Sequence, residues 1–588
     1  MKSAGQSNGH EIFCEKRVMK GEEIDVYYRQ SRVPVDPEEG LDLSKMEGMA
    51  PTAHGFCAKF NQRTFETEDG LICDQDVPVF LRDGTKIYTD IYRPKTLEKV
   101  PVIISWSYYG KRPGDGMSEW QVMGVTPGTI STMSKFESPD PGYWCHQGYA
   151  IANVDPRGTG HSEGNIDMFG SIDAQDGYDF IEWIATQPWC NGKVGMGGNS
   201  CVAMTQVRIA AVQPPHLACI APWEATCDIY RESLYEGGIP ALSFNEFIVA
   251  SLTGPNKIDD QVENGRHYPL MNGYWEDKIP DFKKIQIPVY ACASWHHFHL
   301  HGSFNMFRRI RSTKKWMRAH REQEWPDLYN TKHVEDLQHF YDRYLKDIHN
   351  CWEMTPRYRI EVMDAYDYDY QTDRPEKEFP LARTDYQKWY LNAENGSLNK
   401  NPVEVESSVS YDGATEETNF DIKFTEDTEI TGYMYLKAYV EADGYNDMDL
   451  FVTIKKLDEE GKWLPCSILG EPHPGPWGKL RVSHRALDPK LSTPYEPVQA
   501  HTKEEKLHPG EIVEVNIPIV PTSWLFHKGQ QLRVEIAGRY IREGWFEPLS
   551  WESDNHGKHI IHTGGKYESF LQVPVIPPKY KAGDYIYR

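Results

Sequence analysis

The stretch "GKVGMGGNSCVAMTQVRIAA", residues 192–211, limits what this chain can become more than any other. It opens as a buried strand and turns on Gly197 and Gly198. It then continues with Ala203, Met204, Val207 and Ala211 on one helical face. Ser200 stands at the corner. Two readings of that serine are open. It can be the N-cap of a buried helix, its hydroxyl satisfying the first turn. It can equally be a nucleophile held at the top of a sheet, with the next backbone N–H aimed at an oxyanion. The glycine usual at the fifth position of such an elbow is replaced here by Val202, so the motif alone leaves both readings standing.

The surrounding pattern decides the fold class. Short buried runs ("VPVIISWSYYG", "GYAIANVD", "ACIAPW", "IPVYACASW", "KKWMRAH") alternate with amphipathic segments ("DAQDGYDFIEWIATQPW", "HVEDLQHFYDRYLKD"). That alternation predicts an α/β fold with a parallel sheet and helical crossovers. Residues 1–75 are mixed and polar and read as an extension packed on the body. The α/β core occupies 76–227 and 282–375. Residues 228–281, aromatic and broken by Gly-Gly and Pro, read as an insertion over the sheet. Residues 376–588 alternate strand and turn signals ("EITGYMYLKAYVEA", "DMDLFVTIKKL", "EIVEVNIPIV", "QLRVEIAG"), which predicts a separate antiparallel β-sandwich.

Composition narrows the partners. With 588 residues the chain is too long for one ordinary domain. A net charge of −24 repels nucleic acid and anionic membranes, so neither is expected as a partner. The 11 cysteines include no C-x-x-C pair, which fits reduced thiols in a cytoplasmic protein. No apolar run reaches the ~18 residues of a membrane span.

Several segments in order, "RDGTKIYTDIYRP", "YYGK", "DPRGTGHSEG", "WCNGKVGMGGNSCVA", "PPHLACIAPWEATCDIYRE" and "HTGGKYESFLQVPVIP", resemble the cocaine esterase and Xaa-Pro dipeptidyl-peptidase family of α/β hydrolases. The resemblance implies an α/β-hydrolase core, a helical cap at 228–281 and a C-terminal jelly roll at 376–588, with no cofactor. It makes Ser200 the nucleophile. The Cys201 N–H and the Tyr109 hydroxyl become the oxyanion donors. Tyr108 and Trp223 are read as substrate-pocket residues, Trp223 with the core as an equal alternative. Asp155 and Arg157 are read as ion-paired braces of a loop.

The remaining catalytic partners depart from the family pattern. Its acid follows a tryptophan by two residues, and here that slot holds His297. Its histidine follows the last strand, and the comparable stretch "RAHREQEWPD" carries His320 at the strand end and Glu324 near the histidine slot. His297, His299 and His320 are the candidate bases, because a serine hydroxyl needs a base and a group to orient it. The preferred arrangement takes His299 as base, because the chain resembles divergent branches of the family that keep a histidine three residues before the loop glycine, here Gly302, and has Glu324 orient it. The other keeps His320. His297, His299 and His301 alternate, and on an extended strand they would share a face as some metal ligands do. No nearby cysteine or carboxylate completes an obvious set, so no metal is expected.

The resulting expectation is a serine hydrolase cleaving an ester or amide of a small molecule through an acyl-enzyme on Ser200. Two alternatives share the residues: an acyltransferase or cyclase, and a catalytically inactive hydrolase fold used for binding. A homo-oligomer is compatible with all three.

Overall fold

The computed structural model describes residues 2–7, 10–32, 60–112, 124–540 and 550–578. The chain divides into two compact units. One comprises residues 1–234, 242–317 and 322–355; the other comprises 235–241, 318–321 and 356–588. Among the described residues no helix is long and apolar enough to cross a membrane.

The first unit is built on a sheet whose strands are β1 (Ile72–Phe80), β2 (Lys86–Arg93), β3 (Val100–Trp106), β4 (Ala150–Asp155), β5 (Cys190–Asn199), β6 (Leu217–Trp223) and β7 (Val289–Ser294), followed by β8 (Lys315–His320), whose last three residues group with the second unit. The turn between β1 and β2 is made at Asp83-Gly84, where the Asp83 carboxylate accepts the Thr85 N–H at 3.0 Å. β1, β2 and β4 pair antiparallel in that order. From β4 the sheet continues in parallel register through β3, β5, β6 and β7. At its far side the Val289 N–H bonds the Lys314 carbonyl just before β8. The strand order therefore crosses over at β3 and β4. Every residue of β3, β4 and β7 is buried, as near-continuous Val, Ile and Ala runs in a doubly covered sheet require.

The helices are α1 (Ser171–Ala185), α2 (Cys201–Ala211), α3 (Leu242–Ser251), α4 (Leu300–Arg309), α5 (Glu324–Leu328) and α6 (Thr331–Leu345). Small residues on β5 let α6 lie close. A Cβ on Gly197 would stand 2.4 Å from the Tyr341 hydroxyl, and one on Gly195 would stand 2.9 Å from Leu345 Cδ1. The Tyr341 hydroxyl uses that proximity to donate to the Met196 carbonyl at 2.8 Å.

The polar start of the chain, expected only to pack on the body, forms strands of its own. His10–Met19 and Glu22–Gln30 pair antiparallel, and Lys257–Asp259 of the insertion adds to their edge. Buried Arg29 fastens the two: it donates to Asp260 at 2.6 Å and to Glu246 of α3 at 2.5 Å. The insertion itself holds α3, the short helices Gln261–His267 and Gly273–Asp277, and a π-helical turn at Tyr230–Leu234.

The second unit is β-rich. Its long strand Thr428–Asp443 pairs antiparallel with Val513–Phe526 and continues against Lys558–Thr563 and Phe570–Ile576. The four segments singled out by alternation all lie on strands. The boundary expected at 376 falls instead at Pro356. The hairpin Tyr358–Ala365 and Tyr368–Glu376 carries alternating side chains that suit an antiparallel sheet, and it groups with this unit.

Candidate active site

The turn from β5 into α2 is held from three sides. Ser200 has φ 54° and ψ −124°, a left-handed conformation that a non-glycine residue keeps only when its surroundings impose it. Its N–H meets the carbonyls of Trp223 and Glu224, each at 3.1 Å. Gly198 has φ 121°, and a Cβ there would come within 2.5 Å of the Glu137 carbonyl, so only glycine fits. The Glu137 carbonyl in turn accepts the Asn199 N–H at 3.2 Å. Ser200 makes no side-chain capping bond to α2. Its Oγ lies instead 3.1 Å from Nε2 of His299.

His299 comes from the N-terminal edge of α4. Its Nδ1 lies 2.6 Å from the Thr226 hydroxyl. With Nε2 accepting the serine proton, Nδ1 carries the hydrogen and donates it to Thr226. Burial, and after it the neighbouring His297, hold the His299 pKa well below the usual imidazole value, so the ring is neutral and free to accept.

The expected pairing of Glu324 with His299 is not formed. Glu324 lies 3.2 Å from Nε2 of His297. The backbone explains the exchange: residue 297 precedes α4 and its ring reaches α5, whose first residue is Glu324, whereas residue 299 starts α4 and its ring faces Thr226. The two histidines remain coupled, the His299 N–H approaching His297 Nδ1 at 3.4 Å with ring centroids 4.9 Å apart. His320 ends β8, buried, among the residues grouped with the second unit. The alternation of His297, His299 and His301 has no strand to act on. The loop is a turn, and His301 lies within α4, its Nε2 3.1 Å from the Asn305 amide. His297, His299 and Glu324 do place one donor atom each within 4.8 Å of one another. Both ring nitrogens of His299 are already engaged.

Tyr109 lies beside the elbow. Its hydroxyl meets the Cys201 thiol, and burial, then the nearby Glu137, raise its pKa far above a free phenol's, so it is a permanent donor. The loop carrying it is tied down by buried Lys135, which donates to Ser107 Oγ at 3.2 Å and to the Gly110 carbonyl at 3.0 Å. Lys111, two residues on, ion-pairs with Asp155 at 2.7 Å. Arg157 binds Asp176 and Asp83. Asp155 and Arg157 thus brace loops through different partners.

Ser200, Cys201, Tyr108, Tyr109, Thr226 and His299 all line one pocket. Its remaining described wall is mainly apolar, with Met168, Phe169, Met204, Ile229, Phe244, Ile248, Leu252 and Phe298 relieved by Ser233 and Asn245. Tyr108 is fixed there by accepting the Phe169 N–H at 3.0 Å. Trp223 takes the core alternative and not the pocket: it is buried in the core, edge-on to Tyr290 at 5.4 Å, and is not among the residues lining the pocket. A tryptophan at a strand end points to whichever face the pleat dictates, and here that face is the core.

Thr226 and Glu137 were not legible as site residues. Thr226 follows a strand end that also carries Trp223 and Glu224, and nothing in its spacing marks it. Glu137 sits in an unpatterned "KFESPDP" stretch.

A sheet crossing over in this order, with a strained serine between strand and helix and a histidine on its hydroxyl, defines an α/β hydrolase of the serine type. A crystallised CocE/NonD family hydrolase from Staphylococcus aureus superposes with a TM-score of 0.82 at 36% identity, covering 86% of this chain and 94% of that one. The chain belongs to this family of hydrolases. Residues 83–258 match the model of the X-Pro dipeptidyl-peptidase (S15 family), and residues 350–572 match that of the X-Pro dipeptidyl-peptidase C-terminal non-catalytic domain. Cocaine esterase of Rhodococcus is 32% identical over 163 residues, 28% of this chain and 25% of that protein. A Mycobacterium bovis relative is 30% identical over 172 residues, 27% of its length, so the chain matches about a quarter of these curated relatives. An α-amino acid ester hydrolase shares the fold at a TM-score of 0.65 and 15% identity.

Proposed function

We propose that the protein is a serine hydrolase that transfers an uncharged, apolar acyl group from an ester or amide to Ser200 and then to water. The observation that carries this reading is the 3.1 Å contact between Ser200 Oγ and His299 Nε2 at the floor of an apolar pocket. As Oγ attacks the acyl carbon, its proton passes to His299 Nε2 and the carbonyl electron pair moves onto oxygen. The Cys201 N–H and the Tyr109 hydroxyl receive that oxyanion, a contribution of ~10²–10³ in rate per donor. The imidazolium then gives its proton to the leaving group as the bond to it breaks, and water repeats the sequence. Thr226 holds the ring in the tautomer that accepts. The His297–Glu324 pair lies one layer behind and fixes the backbone of residue 299. Residues 228–281 act as a cap, since α3 and the Ile229–Ser233 turn supply pocket wall, and the β-rich second unit is a jelly roll. A cytoplasmic location is part of the same reading.

The substrate class follows from what surrounds the serine. No Asp, Glu, Lys or Arg is among the described residues lining the pocket, so a charged acyl group would lose its hydration with nothing to replace it. A fluorophosphonate probe is expected to label Ser200 and to fail on Ser200→Ala. Across p-nitrophenyl esters of rising acyl length, kcat/KM is expected to climb and then fall as the pocket fills. Preference for an acyl group bearing a free amine would refute the substrate assignment. Product analysis with and without an added alcohol or amine separates hydrolysis from acyl transfer.

A further inference from the structure

Glu137 has no part in the reaction just described, yet it is built into the elbow. It follows β3 in the chain and adopts φ 59°, a strained value for a glutamate. Its carbonyl is locked to the elbow through the Asn199 N–H. Its side chain is buried. Oε1 accepts the Trp325 indole N–H at 3.1 Å, while Oε2 is sealed from water without a hydrogen bond of full geometry. The carboxyl lies against the Ser200 hydroxyl and the Cys201 N–H, and with Ser200 as nucleophile the acyl oxygen would come to rest beside those groups. A buried polar atom left incompletely satisfied at such a place is a group waiting for a partner.

We propose that Glu137, as the neutral carboxylic acid, is a third hydrogen-bond donor to the oxyanion, beside the Cys201 N–H and the Tyr109 hydroxyl. The proposal rests on the reading of Ser200 as nucleophile. The charge of the site makes it consistent. The groups facing Glu137 are Glu324 of α5, Tyr109 from the loop after β3, the Cys201 thiol of α2, Tyr329 after α5, and His299 across Ser200. Burial, and then the like charge of Glu324, push the Glu137 carboxyl well above the usual carboxylate range. An ionised Glu137 would repel the developing oxyanion; a neutral one offers it a proton to share. No bond to that proton breaks. The carbonyl electron pair moves onto oxygen, the serine proton goes to His299, and the Glu137 O–H remains whole.

The test is the pH dependence of kcat/KM on an uncharged ester for the wild type, Glu137→Gln and Glu137→Ala, with phosphonate labelling of Ser200 in each. The wild type should decline as pH rises and Glu137 ionises. Glu137→Gln, whose amide N–H donates at every pH, should stay within ~10-fold at neutral pH and lose that decline. Glu137→Ala should fall ~10²-fold while Ser200 still reacts with the probe. The same decline with rising pH in Glu137→Gln overturns the proposal, as does a Gln variant as slow as the Ala variant. If Glu137→Ala does not fold, the wild-type and Gln profiles decide alone. A wild type whose Ser200 is not labelled defeats the nucleophile reading and this proposal together. Normal labelling with unchanged profiles defeats this proposal only.

Discussion

The serine elbow and the histidine loop face each other across the same pocket, and they are held by different physics. At the elbow the constraint is backbone sterics. Gly197 and Gly198 sit where a Cβ would strike the Tyr341 hydroxyl or the Glu137 carbonyl, and Ser200 is pinned in a left-handed turn by two carbonyls. No exchange of side chains can reproduce that. In the loop from Trp295 to Gly302 the constraint is hydrogen bonding between side chains: His299 to Ser200 and Thr226, His297 to Glu324. Such bonds can be traded between neighbouring positions without moving the chain. The elbow therefore keeps a recognisable sequence, while the loop keeps only its geometry.

The sharpest way to break this comparison is to remove the proposed base. His299→Ala is expected to cut kcat by at least ~10⁴ with little change in KM, whereas a surviving His299→Ala and a dead His297→Ala would move the base to the other ring. At the elbow the expected damage is to folding. Gly198→Ala puts a Cβ into a backbone carbonyl at an unfavourable φ, and a stability loss of ~3 kcal/mol or more should appear as a lowered denaturation midpoint. Tyr109→Phe should leave the fold intact and lower kcat by ~10², and full turnover in that variant would remove the phenol from the oxyanion site. Glu324→Gln acts one layer behind His299, so a drop of only ~10-fold is expected; a drop as deep as that of His299→Ala would show that the two histidines work as one relay. The smallest effect is a displacement of the pH profile. The His299 pKa is lowered, the neutral ring is the active form, and so kcat/KM should hold as pH falls past the ordinary imidazole value, its acid limb lying well below 6.5.

Backbone demands were legible in the sequence and side-chain pairings were not. The strand–glycine–serine–helix run, the buried strands and the amphipathic helix at 331–345 announced themselves through period and composition, and they carry the sheet and Ser200. His299 was reachable only through the family resemblance, which sets a histidine three residues before the loop glycine, here Gly302. Its orienting partner was not, because Thr226 lies 73 residues away in the chain and a hydroxyl in an acid's place leaves no compositional trace. Trp223 shows the converse. An aromatic at a strand end suggests a pocket, but the pleat alone decides which face it takes. The paired strands of residues 10–30 escaped because their alternation is diluted by charge, and their partner strand is three residues long and far along the chain.

That small sheet ties substrate choice to the opening of the sequence. Arg29 grips both Asp260 and Glu246, and Glu246 rides on α3 between Phe244 and Ile248, two side chains that line the proposed acyl pocket beside Ser200. The edge of the pocket is thus tethered by residues that never approach the substrate. A protein engineer wishing to widen the accepted acyl group has a handle more than two hundred positions upstream of the helix it controls: loosening the grip at Arg29 would let α3 breathe while the reacting groups stay where they are.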